Sequence, residues 1–402
     1  MRDNWEECLF EGETSLITKG TTPTSLGKEF KESGINFIKA ESITNSGKFI
    51  PESFAFIDEE THAILRRSQL QVDDILFSIA GVLGRIAVVD KTIIPANTNQ
   101  ALALIRLSNS SILDRDYIKY YLNGAFIKDQ IRRINVQAAQ ANFSLGDIGR
   151  LNIQYPPLPQ QKKIAKILST VDAVIEKTES AIAKYQAIKQ GLMHDLFELR
   201  TDDYWVFYEL GEIANIIDPH PSHRAPSIDD RGIPFVGIGD IDESGNLIKN
   251  ARKVSEKIFD EHSMRYKLSN KTIGFGRVAT IGKIIRFKNY DFKFTISPTM
   301  AIINPTKIES DYLSFALDSD YMKTQIDKLL TGSTRSSLGI ELLRKLIVKV
   351  PVDVDEKIKI SKALNSIVQK IDLEKQVLTK YQQLKAGLLQ DLLTGKVAVS
   401  VD

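Results

Sequence analysis

The sequence predicts an α+β fold: two pseudo-symmetric mixed α/β domains joined by two long antiparallel helices that form a coiled coil. Three observations carry this reading. The residues KYQAIKQGLMHDLF at Lys184–Phe197 return as KYQQLKAGLLQDLL at Lys380–Leu393. At an offset of 198 residues, SGINFIKAESITNSGKFI from Ser33 falls on RGIPFVGIGDIDESGNLI from Arg231. Apolar residues then recur at steps of mostly three and four through the stretch that follows each domain.

The elements follow in order. Residues 1–155 form the first domain, 156–199 the first long helix, 200–350 the second domain, 351–395 the second long helix and 396–402 a tail. Trp5 and Trp205 mark the two domain starts. Runs such as Ile75–Ile79, Arg85–Val89, Ala101–Leu107, Ile284–Phe287 and Met300–Ile303, punctuated by Gly, Pro and Asn, predict strands. One helix is expected in each domain, around Asp116–Arg132 and Asp311–Leu330. The long helices show a seam at Ile164, Leu168, Val171, Ile175, Ile182, Tyr185, Ile188 and Leu192, matched by Ile360, Leu364, Ile367, Ile371, Leu378, Tyr381, Leu384 and Leu388. Polar Thr178 and Glu374 interrupt the two seams at equivalent places. A helix of roughly 60 Å cannot bury such a stripe alone, so each is expected to pack on the other. An internal duplication favours a pseudo-twofold, antiparallel pairing. The tail then stands beside the N-terminal domain, where a linker to Trp5 would run.

Composition narrows the function. With 43% apolar and 26% charged residues, 402 residues fit two folded domains. No apolar run approaches the roughly 20 residues of a membrane span. The start MRDNWEECLFEGE is polar and acidic, unlike a signal peptide. One cysteine, Cys8, excludes an internal disulfide and suits a cytoplasmic setting. The 53 basic residues nearly balance the 51 acidic ones, so a polyanionic partner must be met by local patches.

Enzymatic motifs do not survive weighing. IGFGRVATIG (Ile273–Gly282) faintly resembles a glycine-rich nucleotide loop, but its counterpart ILFSIAGVLG keeps only the last glycine, so both read as turns between strands. QYPPLP lacks the Asn or Asp of a methyltransferase motif and reads as a helix start. DVDEK (Asp353–Lys357) places acids where a helix dipole favours them. His220 and His223 have a metal-like spacing, but the intervening proline and the lack of nearby cysteine favour a loop. No catalytic and no metal-binding residue is assigned.

Polar and basic loops carry the functional signal. KGTTPTS supplies Lys19, Thr21 and Thr22, and ANTNQ supplies Asn97, Asn99 and Gln100. RRINVQAAQANFS supplies Arg132, Arg133, Gln137, Gln140 and Asn142. PSHRAPS supplies His223 and Arg224, and TGSTRSS supplies Ser333, Thr334, Arg335 and Ser336. Arg85, Arg277 and Lys283 complete the set. Basic side chains suit phosphates and guanine, and Asn or Gln suit adenine, although solvated loops have the same composition.

The duplicated starts (Trp5; Trp205 with Leu210, Gly211, Glu212 and Ile213), IGRLNIQYPPLP and LLRKLIVKVP before the helices, and the helix ends KQGLMHDLF and KAGLLQDLLTGKV resemble the specificity subunit of type I restriction-modification systems. The resemblance spans essentially the whole chain. It implies two target recognition domains that each read half of a split sequence in double-stranded DNA, and helices that bind two methyltransferase subunits. Those partners would hold S-adenosylmethionine and methylate adenine, while restriction motor subunits would bring ATP and Mg. The chain itself is then a non-catalytic subunit without a cofactor. Gln160 stands where the family commonly has glutamate, and VPVDVDEK lacks a second proline. A tandem coiled-coil scaffolding protein without DNA specificity, and the recognition region of a single-chain restriction-methylation enzyme, remain as rivals.

Overall fold

The computed structural model describes residues 4–44, 46–136, 143–200, 202–220, 226–242, 245–247, 251–331 and 337–401. The chain divides into two units, Met1–Lys177 with Leu378–Asp402, and Thr178–Val377. Each unit therefore takes half of each long helix, and the division falls at the polar Thr178.

In the first unit a four-stranded antiparallel sheet runs Thr14–Lys19, Leu102–Leu107, Ile75–Ser78, Ile86–Val88. A three-stranded sheet places Ile35–Ile38 between Ala55–Ile57 and Ala96–Thr98, the last pair being parallel. Glu6–Leu9 and Asn152–Tyr155 form a separate ribbon. The second unit repeats this order: Ala214–Ile217, Met300–Pro305, Ile273–Gly276 and Ile284–Arg286 in the larger sheet, and Lys253–Val254, Ile233–Val236 and Thr295–Ile296 in the smaller. Its ribbon pairs Trp205–Glu209 with Ile347–Pro351.

The central strands read as unbroken apolar runs because both faces are covered. Successive side chains alternate across a sheet. Ile75 and Phe77 enter the core that also holds Tyr117, Ile164, Leu168, Leu392 and Leu393, while Leu76 and Leu104 enter a second core under the smaller sheet. Ile273 and Phe275 join Tyr312, Phe197 and Leu364, and Ile302 turns to the other side with Val236 and Ile285.

Two expectations are corrected. Each single helix expected in a domain is a pair: Arg115–Asn123 with Ala125–Val136, and Ser310–Asp318 with Asp320–Thr331. The breaks lie at Gly124 and Ser319, both in extended conformation, and Ser319 satisfies a helix-end carbonyl by donating its Oγ to Ala316 O at 2.7 Å. The long helices, Leu158–Phe197 and Val354–Leu393, bury Ile164, Leu168, Ile182, Ile360, Leu364 and Ile371 as expected. Ile188 and Leu384, however, are 42% and 48% exposed. The inward positions beside them belong to Lys189 and Lys385, which lay their stems across the packed face and pair with Asp318 at 3.1 Å and Asp172 at 2.6 Å.

Within each unit the helix segments run antiparallel. In the first, Ile164 and Leu168 share a core with Leu388, Leu389, Leu392 and Leu393, while Asp172 meets Lys385. In the second, Met193 and Phe197 share a core with Ile360, Leu364 and Val368, and Lys370 lies over the Tyr185 ring. Gln161 fastens the first helix to its domain, accepting from Asp114 N–H at 2.7 Å and donating to Ile112 O and Pro156 O. Lys357 does the equivalent work in the second with Glu309, at 2.9 Å. The tail lies where the repeat places it: Val397, Ala398 and Val399 line one cleft with Asn4, Trp5, Gln160 and Ile164.

Candidate nucleic-acid interface

In the first unit the end of strand Thr14–Lys19 is clamped on the turn after Ala96–Thr98. A Cβ at Gly20 would lie 1.7 Å from Thr98 O, so only glycine permits this approach. Gly20 N–H donates to Asn99 O at 3.1 Å, and Thr22 Oγ1 bonds the Gln100 side chain. Asn99 Oδ1 accepts from Ala101 N–H at 3.1 Å, holding the turn. Arg67, on the turn Arg66–Ser68, donates Nη2 to Thr21 Oγ1 at 3.3 Å. Lys19, Thr21, Thr22, Arg67, Asn99 and Gln100 thus form one polar, basic patch, with Lys19, Arg67 and Gln100 exposed.

Asn97 has a different place. It is fully buried, bonded to His62 Nδ1, and donates Nδ2 to Leu65 O and Ser68 Oγ, each at 3.0 Å. It braces from below the turn that carries Arg67. Arg66 and Arg67 were absent from the loops read in the sequence, although two adjacent arginines between a helix and a strand were a visible signal.

The second unit builds the same positions from other residues. Ile17 faces Ile105, and Ile216 faces Ile303, so Asp218 is the counterpart of Lys19. Asp218 takes the Arg277 guanidinium at 3.0 Å, and Arg277 Nε donates to Leu338 O at 3.0 Å. Arg277 is therefore largely inside, cross-bracing the loop bases.

Arg85 and Lys283 do one job twice. Arg85 donates Nη1 to Ala40 O at 3.1 Å and Ile43 O at 3.0 Å. Lys283 donates Nζ to Ile238 O at 3.1 Å and Ile241 O at 2.9 Å, the matching carbonyls of the repeat. Both are committed to carbonyls of their own domain. Arg132 and Arg133 are exposed near the end of helix Ala125–Val136, both paired with Asp129. Gln137, Gln140, Asn142, His223, Arg224, Ser333, Thr334, Arg335 and Ser336 lie outside the described residues. The chain returns from two of these segments in the same way, Phe143 N–H donating to Ile79 O at 3.2 Å and Leu338 N–H to Arg277 O at 2.9 Å.

Among the described residues no group of three or more His, Cys, Asp and Glu is placed to hold a metal ion. Burial, and next the Glu13 charge, push the Cys8 thiol up to about 11, which leaves it protonated at neutral pH. No helix of the described residues is long and apolar enough to cross a membrane.

The family model "Type I restriction modification DNA specificity domain" matches residues 12–185 and 202–383, one copy per repeat. A putative type I restriction enzyme MjaX specificity subunit of Methanocaldococcus jannaschii is 23% identical over 99% of this chain and 94% of its own length. The StySPI specificity subunit of Salmonella potsdam is 21% identical over 91% of this chain and 85% of its own. A type I restriction-modification S subunit from M. genitalium has the same fold, with a TM-score of 0.62, 18% identity, and coverage of 97% of this chain and 96% of that one. A chain from structural work on complex assembly and conformational transition of the type I R-M system follows at a TM-score of 0.57 and 16% identity, over 97% and 98% of the two chains. A family model that matches both repeats, on a fold built twice from one strand order, leads to one conclusion: the chain belongs to the type I restriction-modification specificity subunits.

Proposed function

We propose that this chain reads a bipartite DNA target, one unit per half-site, and carries methyltransferase subunits on its long helices. The observation that carries the reading is the contrast between a repeated frame and unrepeated loop chemistry. Strand order, the Arg85 and Lys283 ties and the loop return points recur, while Lys19 is replaced by Asp218 and the sequence has Pro221 and Pro298 at the positions of Thr22 and Gln100. A frame kept twice beneath divergent polar loops suits two readers of different base sequences. In the first unit the reading surface is the patch around Lys19, Thr21, Thr22, Arg67, Asn99 and Gln100.

The helices supply the second support. Lys184, Ile188 and Gly191 lie on one exposed face, and Lys380, Leu384 and Gly387 repeat it. Exposed apolar residues beside glycines with open space above them offer a close approach to a partner helix. Two copies of one surface suit two copies of one partner. In this reading the partners hold S-adenosylmethionine and methylate adenine, the motor subunits that join them use ATP and Mg, and this chain contributes no catalytic group.

Methylome sequencing of a host that carries this subunit with its methyltransferase partner tests the proposal. The expected result is one new motif with two constant half-sites and a fixed unread spacer. A host that gains no motif, while the chain still assembles with its partner, would favour the scaffolding alternative.

A further inference from the structure

The arginine that the first unit adds to its polar patch is repeated in the second. At the offset of 198 residues Arg67 falls on Arg265, and the parallel ladders keep the same register, Phe37 opposite Asn97 and Phe235 opposite Thr295. Each arginine lies on the turn that follows a helix, after Glu59–Ile64 in one unit and Glu256–Ser263 in the other. Both are exposed.

The turn is fixed to the same strand position both times. The residue after each arginine is buried: Ser68 Oγ lies 3.0 Å from Asn97 Nδ2, and the Tyr266 hydroxyl lies 2.8 Å from Thr295 Oγ1. A histidine of the preceding helix meets that strand residue too, His62 at Asn97 and His262 Nδ1 at 2.6 Å from Thr295 Oγ1. The end of the neighbouring strand closes on the same corner. Arg67 donates Nη2 to Thr21 Oγ1 at 3.3 Å, and His220, at the place of Thr21, has its Nδ1 2.9 Å from His262 Nε2. The brace is rebuilt from other residues, yet the arginine it carries stays.

The two guanidinium groups keep donors to spare. Neither has an acidic partner among the described residues, whereas the exposed Arg115, Arg132, Arg150 and Arg344 each pair with an aspartate or glutamate. Thr21 takes one of the five N–H donors of Arg67. Arg66 is not repeated: its Nε donates to Ala63 O at 3.3 Å, and Met264 stands at its place.

Two half-sites of different sequence differ in their bases and share their phosphates. Lys19 gives way to Asp218 and Gln100 to Pro298, as base readers of different targets would. An arginine kept on a rebuilt brace suits the group that both half-sites have, and its planar fork matches a phosphate. We infer that Arg67 and Arg265 each hold a DNA phosphate, at matching places on the two half-sites, and so set the register from which the divergent loops read. The inference rests on the proposed function.

The test uses the full chain with its methyltransferase partners and a duplex carrying the motif that methylome sequencing gives for the parent. Binding is measured across a salt series for the parent, Arg67→Ala, Arg265→Ala, Arg67→Lys and Arg265→Lys. Each alanine should weaken binding roughly eightfold at about 0.1 M salt and reduce the slope of log K against log salt by about 1. Each lysine should keep the slope, since it still neutralises a phosphate. All four variants should methylate the parent's motif. A motif relaxed at a base pair would make the arginine a base reader, an unchanged slope would make it a solvated side chain, and lost assembly with the methyltransferase would make it a partner contact; each overturns the inference. A slope reduced by one alanine and not the other would overturn the equivalence of the pair. If the parent binds its motif no more tightly than an unrelated duplex, the DNA reading itself fails and this inference with it.

Discussion

One position in the larger sheet is solved by charge in the first unit and without charge in the second. Asp74, fully buried, holds Arg106 in a two-pronged pair at 2.7 Å per bond, and its Oδ2 also accepts from Gln71 N–H. That pairing raises the Arg106 pKa above its ordinary value. At the same place Thr272 Oγ1 donates to Asn304 Oδ1 at 2.8 Å and accepts from Ser269 N–H at 3.0 Å. The backbone contact and the cross-strand contact are both kept; only the charge differs. The fold therefore asks this site for an acceptor and a cross-strand partner, not for ions. A frame that specifies geometry this loosely in chemistry leaves its surface loops free to diverge.

The difference can be broken most severely from one side. Arg106→Ala strands the buried Asp74 carboxylate and should cost about 3–5 kcal/mol, read by denaturant unfolding of the full chain. Asn304→Ala, which strands only a neutral hydroxyl, should cost about 1 kcal/mol. The double exchange Asp74→Thr with Arg106→Asn transplants the neutral solution and should stay within about 1 kcal/mol of the parent. A large loss in the double variant would mean that the first unit needs the charge itself.

The ties at Arg85 and Lys283 sharpen the opposite side of the comparison, where the units agree. Arg85→Ala removes a charged donor from two carbonyls and should cost about 1.5–3 kcal/mol. Arg85→Lys, which installs the second unit's residue, should recover most of this loss because Lys283 reaches the matching carbonyls. At the surface the smallest effect is expected: Gln100→Ala should change stability by no more than about 0.5 kcal/mol. Methylome sequencing should show its effect confined to the first half-site.

Much of the architecture was legible because it was written twice. Ile75 and Phe77 announced a central strand through an unbroken apolar run, whereas the matching strand Ile273–Gly276 was hidden in IGFGRVATIG, whose glycines read as a turn. The long helices were legible from spacing, but the seam was misplaced at Ile188 and Leu384. A lysine counts as polar in any periodicity, and nothing local reveals that Lys189 and Lys385 find aspartates across the packed face. The breaks at Gly124 and Ser319 were hidden for a similar reason, since one extended residue interrupts a helix without disturbing the apolar pattern around it. Among the candidate site residues, composition drew together Lys19, Thr21, Thr22, Asn99 and Gln100, which the fold does assemble. It could not separate them from Arg85, Lys283, Arg277 and Asn97, whose polar groups are turned to backbone carbonyls and buried partners. Residue type does not reveal whether a donor faces water or a carbonyl.

The central claim is that each unit reads its own half-site on a shared frame. Its most direct test is an exchange of Trp205–Val350 for the equivalent domain of another specificity subunit, followed by methylome sequencing of the host beside the parent. The account predicts a motif in which one half-site is new and the other is the parent's, because the Lys19–Gln100 patch and its braces lie wholly in the first unit. A motif changed in both halves, or unchanged in both by a chain that still assembles and methylates, would contradict it.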